Sequence, residues 1–244
     1  MRASTVILLA CLIPLSSWGQ AVLTTFGIQA KPVIPFTYLD SKVNLERANV
    51  TSSIELDGGY AFGMCVRVAL TKTIALETGL GQIQRRYSFT LNNDTANYSE
   101  TAKVRYIGYE LPITALIFIR LGERAFMNAA LGFSADFYPS DAQRDVERGR
   151  IYMFRNRWAQ LGVIGNLGVE YRTVKSGTFY LGATFHRPFN ALSTVDVTYY
   201  GSNFFPYPVR GSLSGAYLTA DLRYYFHEDP AKRIRKKTKK KKKE

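Results

Sequence analysis

The sequence predicts an all-β fold: an eight-stranded antiparallel up-and-down transmembrane β-barrel. The clearest sign is the last regular segment, residues 215–226, where apolar and polar side chains alternate over twelve positions. A period of two is typical of a strand with one apolar face and one polar face. Seven earlier segments alternate in the same way, and the connections between successive segments are alternately short and long. That asymmetry is typical of outer-membrane barrels, whose two termini lie in the periplasm.

Each predicted strand reaches the roughly 9–11 residues that a tilted strand needs to cross a bilayer. Pro32 and Pro35 weaken the far end of the first strand, because proline lacks the backbone donor. The alternation slips near residues 82–86, where we expect either a bulge or the point at which the third strand leaves the bilayer. The last strand ends on the aromatic residue Phe226. The eight strands are predicted at residues 24–38, 52–68, 74–89, 101–120, 125–138, 158–171, 178–187 and 215–226.

The alternation also assigns each side chain to the lipid or to the lumen. In the second strand Leu56 is expected on the lipid face, and Glu55 and Asp57 in the lumen. The connections after the second, fourth and sixth strands are short turns. Those after the other strands are predicted as longer extracellular loops, the longest at residues 139–157 and 188–211. A soluble β-sandwich would also give every strand one apolar face, but it requires neither spanning length nor such unequal connections.

The N-terminus predicts export. Residues 1–20 have the pattern of a secretory signal peptide, with cleavage near residues 19–21. Arg2 supplies the positive start and residues 6–15 the apolar core. A membrane anchor is the weaker alternative, since that core is well below the ~20 residues that a spanning helix needs.

Cysteine use and apolar runs exclude other classes. A lipoprotein signal ending at Cys11 is disfavoured, because the apolar run continues past that residue. Removing the signal leaves Cys65 as the single cysteine, which excludes an intramolecular disulfide and a CxxC site. The longest later apolar run, residues 113–119, is too short for a spanning helix, so a helical membrane protein is excluded.

The positive charge is concentrated at the C-terminus. The formal net charge is +13, and residues 227–244 hold ten Lys or Arg against three Asp or Glu, a net +7 that leaves +6 for the rest. We expect this tail to be disordered by self-repulsion and to face the periplasm. There it could lie on anionic lipid or bind an acidic periplasmic or secretion-machinery protein, and no nucleic acid is expected as a partner. The basic residues of the tail are Lys232, Arg233, Arg235, Lys236, Lys237, Lys239, Lys240, Lys241, Lys242 and Lys243.

The inward parities of the predicted strands carry many charges. An eight-stranded barrel has an interior just wide enough to be filled by side chains, and buried charges must be paired. The sequence therefore predicts a structural network of ion pairs that plugs the lumen. The alternative is a narrow cation-preferring path, because the acids outnumber the bases seven to three. The predicted network consists of Lys31, Glu55, Asp57, Arg67, Glu77, Glu110, Asp136, Glu170, Asp221 and Arg223.

Catalytic chemistry is only weakly indicated. His186 falls near the outer end of the seventh strand, and the adjoining loops contain Asp141, Ser193 and Asp196. A general base needs an orienting acid and a nucleophile within hydrogen-bond reach, and nothing in the spacing provides this. Two histidines and one mature cysteine also lack the spacing of a metal site. We expect no catalytic residues, no cofactor and no metal.

Three stretches together resemble the PorT-like outer-membrane β-barrel family associated with type IX secretion. They are the aromatic-then-Glu-apolar-Pro-apolar segment at residues 106–113, the hairpin from residues 59–63 to 79–81, and the sixth strand at residues 165–171. The resemblance covers residues 27–226 and implies a small barrel in the bacterial outer membrane. One difference is that 18 residues follow Phe226, where the family's chain usually ends.

The sequence thus predicts an exported outer-membrane barrel at residues 21–226 with a basic periplasmic tail. Its expected role is non-enzymatic: a scaffold or interaction protein that contacts outer-membrane lipid and, as the resemblance implies, an accessory of protein secretion. A small passive, porin-like channel is the second alternative and an enzyme with a site at the rim is the third.

Overall fold

The computed structural model describes residues 23–35, 42–47, 49–201 and 205–227. The predicted signal peptide and the predicted basic tail beyond residue 227 lie outside these residues, so both stay predictions. The described chain is all-β. Its strands are β1 (Leu23–Ile34), β2 (Lys42–Arg47), β3 (Val50–Ala69), β4 (Ile74–Asn93), β5 (Tyr98–Arg120), β6 (Ala125–Phe137), β7 (Ala142–Val146), β8 (Gly149–Arg155), β9 (Ala159–Arg172), β10 (Thr178–Pro188), β11 (Ser193–Tyr200), β12 (Pro206–Leu213) and β13 (Tyr217–Tyr225).

Eight of these strands close into a ring. Their order around it is β1, β13, β10, β9, β6, β5, β4 and β3, and β3 pairs with β1 to complete the circle. Every pair of neighbours is antiparallel. The closing pair runs from Leu23 opposite Ala69 to Val33 opposite Gly59. The predicted eight-stranded up-and-down barrel is confirmed.

The outer wall of the ring is an exposed apolar belt. On β5, Ile113 and Ile117 are more than half exposed, and Leu131 on β6 is 68% exposed. Aromatic pairs lie at the two edges of the belt, with Phe137 and Trp158 at one edge and Tyr224 and Phe226 at the other. A large exposed apolar surface flanked by aromatic residues is the lipid-facing surface of a membrane barrel.

The described residues contain no helix that is long and apolar enough to cross a membrane.

Three strands of the ring continue far beyond the belt. β3 and β4 have 20 residues each and β5 has 23, whereas β13 has nine. The prediction of a long loop between the third and fourth predicted strands is wrong, because β4 pairs with β5 as far as Asn93 opposite Tyr98. A tight turn at residues 94–97 joins the two strands instead, so the hairpin projects outward from the barrel.

A β-bulge in β3 marks the level at which these strands leave the barrel. Leu56 pairs with Tyr87 and Gly58 with Arg86, so Asp57 is an extra residue without a partner on β4. An inserted residue reverses the side-chain parity, and Gly58 accommodates the distortion with a φ of +106°. The irregularity expected near residues 82–86 is therefore found on the neighbouring strand, β3. On β4 itself the alternation of buried and exposed residues is unbroken.

The bulge overturns two of the predicted lumen positions. Beyond it, Leu56 is buried, while Glu55 and Asp57 are exposed on the outer surface. The ammonium group of Lys42 pairs with Glu55 at 2.5 Å, and that of Lys103 with Asp57 at 2.9 Å. The hydrogen bond from Lys103 holds the pKa of Asp57 below its ordinary value. The prediction was wrong because it carried one parity through all of the second strand.

The inside of the barrel changes from polar to apolar along these strands. On β4 the inward positions are polar or small up to Gly81. Beyond it they are Ile83, Arg85, Tyr87, Phe89 and Leu91, all buried and all apolar except Arg85. Since water surrounds the projecting strands, their inner face must pack on an apolar partner.

That partner is a second sheet, formed by segments whose sequence predicts extracellular loops. The connections predicted at residues 139–157 and 188–211 form β7, β8, β11 and most of β12, which ends at Leu213. These strands make a four-stranded sheet in the order β12, β11, β8, β7. The projecting ends of β2–β5 and this sheet enclose one hydrophobic core, here called the outer cap. Its buried members include Val50, Ile54, Leu56, Tyr87, Phe89, Leu91, Ile151, Met153, Val195, Val197 and Tyr199.

Aromatic and charged residues tie the two sheets of the cap together. The ring of Tyr98 on β5 lies 5.5 Å from that of Tyr199 on β11, and its hydroxyl group donates to Glu100. Burial, together with that hydrogen bond, raises the pKa of Tyr98 to about 12. Glu100 also accepts the backbone N–H of Glu147 at 3.0 Å, so the hairpin of β4 and β5 holds the turn between β7 and β8.

Replacing Gly58 tests the bulge. We expect Gly58→Ala to lower the free energy of unfolding by about 1–3 kcal/mol, because a side chain disfavours positive φ. The added Cβ would lie 3.4 Å from the carbonyl oxygen of Val33, an ordinary contact, so the cost comes from the backbone. Urea unfolding in detergent micelles measures the difference. Gly122→Ala is the matched control, since nothing lies within 4 Å of its added Cβ, and equal stability of both variants would contradict the prediction.

Candidate functional site in the barrel lumen

Eight of the ten predicted network residues lie with their side chains inside the ring; the exceptions are Glu55 and Asp57. Lys31 is half-buried, and the other seven are at most 8% exposed. The seven buried residues separate into two clusters. The lower cluster, on the side of the short turns, consists of Arg67, Glu77, Glu170, Asp221 and Arg223. The upper cluster, below the outer cap, is built around Glu110 and Asp136, together with His186.

Glu77 on β4 is the centre of the lower cluster. It accepts the Nε of Arg67 at 3.0 Å, the hydroxyl of Tyr225 at 2.7 Å and a guanidinium nitrogen of Arg223. Arg67 reaches across the lumen to Glu170, with its Nη1 2.8 Å from Oε2. A carboxylate with several charge-assisted donors is stable although it is buried. The lower cluster therefore joins β3, β4, β9 and β13 across the lumen.

Asp221 on β13 extends this network upward. Its carboxylate accepts the hydroxyl groups of Thr184 at 2.5 Å and Thr219 at 2.7 Å, and the amide of Asn166 at 3.1 Å. The Nη2 of Arg223 is 2.5 Å away. With four donors around one carboxylate, little of its capacity for hydrogen bonding is left for a passing ion.

Two inward glycines make room for one large side chain in this layer. Tyr180 on β10 lies across the lumen, and its hydroxyl donates to Asn166 at 2.7 Å. A Cβ added at Gly168 or Gly182 would overlap that hydroxyl group. The alternation of inward glycines with polar residues in the sequence thus reflects interior packing.

The upper cluster holds a buried histidine among carboxylates. The Nε2 of His186 lies 2.7 Å from the Oγ of Ser134 and 3.0 Å from Oδ2 of Asp136. Glu110 accepts the hydroxyl of Tyr217, whose ring stacks on the imidazole with centroids 4.7 Å apart. His186 and Asp136 are fully buried.

Arg85, which is not among the predicted network residues, closes the lumen above this cluster. Its guanidinium donates to the carbonyl of Gly215 at 2.9 Å and to the hydroxyl of Tyr138 at 3.3 Å, and lies 4.9 Å from the centre of the Tyr217 ring. Arg85 shares the parity of Glu77 on β4. Unbroken alternation through residues 82–86 would have placed it inside.

Arg172 is the second basic residue that the prediction missed. It lies at the lower rim, and its Nε donates to Glu170 at 2.6 Å. With Arg85 and Arg172 added and Glu55 and Asp57 removed, five acids face five bases in the lumen. The acid excess on which the cation path rested does not exist among the described residues. The five acids are Glu77, Glu110, Asp136, Glu170 and Asp221, and the five bases are Lys31, Arg67, Arg85, Arg172 and Arg223.

Glu110, Asp136 and His186 are the residues of the described chain that could hold a metal ion. One ligand atom from each lies within 4.8 Å of the other two. Glu110 already accepts Tyr217, and the Nε2 of His186 already lies against Ser134. We therefore interpret the trio as part of the polar packing.

The side chains that could have formed a catalytic site at the rim are engaged elsewhere. Asp196 accepts Arg210 at 2.7 Å, and Asp141 accepts the backbone N–H of Arg155 at 2.9 Å. Among the described residues, no hydrogen bond joins His186 to Asp141, Ser193 or Asp196. The serine that does contact His186 is Ser134, inside the barrel.

One small space lies between these layers. A cavity of about 10 Å³ lies between Lys31 and Glu110, bounded also by Tyr217 and Thr219. Such a volume holds about one water molecule. Within the described residues, the lumen is thus a packed polar core with an apolar cap above it.

The closed ring, the apolar belt and the polar interior define the class: an outer-membrane β-barrel protein. No family model matches the sequence, and no curated protein matches it. The outer membrane protein OprG from Pseudomonas aeruginosa has a similar structure, with a TM-score of 0.53 at 10% identity over 85% of this chain and 98% of that one. At that identity the likeness shows the fold, which agrees with the strand pairing described above.

Two further solved structures align less closely. The outer membrane protein AlkL has a TM-score of 0.46 at 11% identity, over 84% of this chain and 90% of that one. The outer membrane protease OmpT from Escherichia coli has a TM-score of 0.32 at 10% identity, over 84% of this chain and 95% of that one.

Replacing Glu77 tests the lower cluster. We expect Glu77→Gln to lower the free energy of unfolding by about 3–5 kcal/mol, because it leaves two buried arginines without their shared carboxylate. The exposed turn residue Glu123 provides the control, and Glu123→Gln should change stability by less than about 0.5 kcal/mol. Denaturant unfolding in micelles, followed by heat-modifiable gel mobility, measures both. A Glu77→Gln barrel as stable as the control would show that these ion pairs are dispensable.

Proposed function

We propose that this protein is a non-enzymatic scaffold of the bacterial outer membrane that presents its outer cap to a partner. The observation that carries the proposal is the closure of the lumen. The charges of the lower cluster are paired across the ring, and the cavity between Lys31 and Glu110 holds about one water molecule. A barrel built in this way supplies a fixed membrane anchor rather than a route for solutes.

The charge balance argues against the small passive channel. A selective path needs solvated charges of one sign along a continuous opening. Here Glu77 and Glu170 are bonded to arginines, and Asp221 is surrounded by four donors. Above them, the apolar core of the cap covers the mouth of the barrel.

The geometry around His186 argues against an enzyme. In a catalytic triad the base contacts the nucleophile through one ring nitrogen and the orienting acid through the other. Ser134 and Asp136 instead both lie against Nε2, while Nδ1 of His186 has no hydrogen-bond partner. Full burial of the imidazole also keeps a substrate away from it.

The outer cap is the part of the molecule best suited to an interaction. Two sheets with a shared core hold its surface in place, whereas a simple barrel would present separate loops. Exposed aromatic residues lie on this surface, among them Phe154, Phe205 and Tyr207. Aromatic side chains are favoured at protein interfaces because they bury a large area at little entropic cost.

The resemblance to PorT-like barrels leads us to propose the secretion machinery as the setting of this interaction. The basic residues 232–243 would provide a second contact on the periplasmic side, with an acidic protein or with anionic lipid at about 1 kcal/mol per basic residue near the surface.

Planar-bilayer recording tests the closed lumen. We expect the full-length protein to insert without stable single-channel current steps, because no open path crosses the lower cluster. Tyr180→Ala serves as the comparison, since it removes a large side chain from the lumen and should give brief leak currents. Stable steps from the unaltered protein would overturn the scaffold proposal in favour of the channel.

Co-purification from native membranes tests the role of the cap. We expect Val195→Asp to disrupt the cap and lose a crosslinked outer partner, because a buried carboxylate without a partner costs several kcal/mol. Ser212→Asp, on an exposed position of the same sheet, should keep the partner. Deleting residues 227–244 should leave heat-modifiable mobility intact and release only a periplasmic partner. An identical set of crosslinked proteins from all of these variants would contradict the proposal.

A further inference from the structure

Two arginines lie side by side on the outer wall, immediately above the apolar belt. Arg86 on β4 and Arg105 on β5 are direct cross-strand partners in the antiparallel ladder. Both side chains are exposed. Directly opposed residues on one face have Cβ atoms about 4.5–5.5 Å apart, so the two guanidinium groups share one small area of surface.

Like charges in this arrangement destabilise a sheet unless an anion lies between them. Within the described residues, neither Arg86 nor Arg105 forms a salt bridge or a side-chain hydrogen bond. The local positive charge is therefore not neutralised by the part of the chain that the structure describes.

The neighbouring charges leave this excess unchanged, because they pair with one another. Lys103 lies two positions before Arg105 on the same face, and its ammonium group is 2.9 Å from the carboxylate of Asp57. Glu55, the other nearby acid, is paired with Lys42 at 2.5 Å. Three cations and one available carboxylate give the patch of Arg86, Lys103, Arg105 and Asp57 a net charge of +2.

The height of the patch on the barrel identifies the source of the missing anion. The next outward residue of β5 towards the membrane is Ile107, followed by Tyr109, and on β3 Tyr60 and Phe62 are half exposed. These residues belong to the lipid-facing belt. The guanidinium groups therefore lie at the level at which acyl chains end and head groups begin.

We propose that Arg86 and Arg105 form a binding site for the phosphate of an outer-leaflet lipid. Arginine presents a planar fork of donors that binds phosphate oxygens in pairs. Two neighbouring guanidinium groups in a patch with a net charge of +2 match the charge of a phosphate monoester. The belt below would hold the acyl chains of the same lipid molecule, which a free phosphate ion does not possess.

Other outward arginines at this level differ from the pair. Arg187 on β10 is exposed but lies opposite Val163, and Arg157 precedes β9 in a connection. Each is a single charge beside apolar or aromatic neighbours. A phosphate therefore gains the most binding free energy at the surface shared by Arg86 and Arg105.

Native mass spectrometry of the full-length protein, released from detergent micelles with added bis-phosphorylated lipid A, tests the site. We expect the double variant Arg86→Gln and Arg105→Gln to weaken lipid binding by about tenfold or more, because charge-assisted hydrogen bonds are lost. Asp57→Asn should bind more tightly than the unaltered protein, since it raises the charge of the patch. Heat-modifiable gel mobility confirms that each variant is folded.

A second double variant provides the control. Lys72→Gln and Arg124→Gln removes two exposed cations from the turns at the opposite end of the barrel, and should leave binding unchanged. Dephosphorylated lipid A should bind equally weakly to all variants, and millimolar inorganic phosphate should not displace the lipid. Equal loss in both double variants would reveal non-specific charge attraction, and displacement by phosphate a free-anion site. Either result, or unchanged binding after loss of both arginines, would overturn the proposal.

Discussion

The constraint behind the whole structure is that backbone hydrogen bonds within a bilayer must be made inside the protein. Water cannot satisfy an exposed strand edge at that depth, so a sheet in the membrane must close on itself. The pairing of β1 with both β13 and β3 meets this requirement. Closure around eight strands then leaves an interior so narrow that side chains fill it, and their charges have to be paired.

The strands β3, β4 and β5 pass from an environment of lipid into one of water. Along the membrane, β3–β5 turn their apolar side chains outward and their polar ones inward. Beyond Gly58 the water is outside, and the apolar side chains turn inward to the core of the cap. On β3 this inversion uses an inserted residue. On β4 and β5 the parity is kept, and the sequence itself exchanges the chemistry of the two faces.

Much of the barrel could be predicted from the sequence, because lipid on one side and a packed lumen on the other enforce a strict period of two. The inward positions of Glu77, Glu170 and Arg223 follow from that period. It failed where the environment changed: Glu55 and Asp57 were misplaced by the bulge, and Arg85 was missed where an apolar lumen replaced a polar one. The cap strands β7, β8, β11 and β12 lie in segments that the eight-strand pattern assigned to extracellular loops, although Val195, Val197 and Tyr199 alternate with polar residues on β11 as a strand requires. Contacts such as that of Ser134 with His186 depend on the register between strands, which no single segment encodes.

The unbroken course of β3, β4 and β5 has a mechanical consequence. At about 3.4 Å per residue, a strand as long as β5 extends for roughly 75 Å, more than twice the ~30 Å thickness of the hydrocarbon layer even before its tilt is considered. Apart from the bulge in β3, the ladder that joins these three strands keeps one register between the inner turns and the outer tip. A molecule that docks on the tip is thereby held at a fixed distance from the membrane surface. A pulling force on it would be transmitted along these strands to the part of the barrel that lies in the membrane.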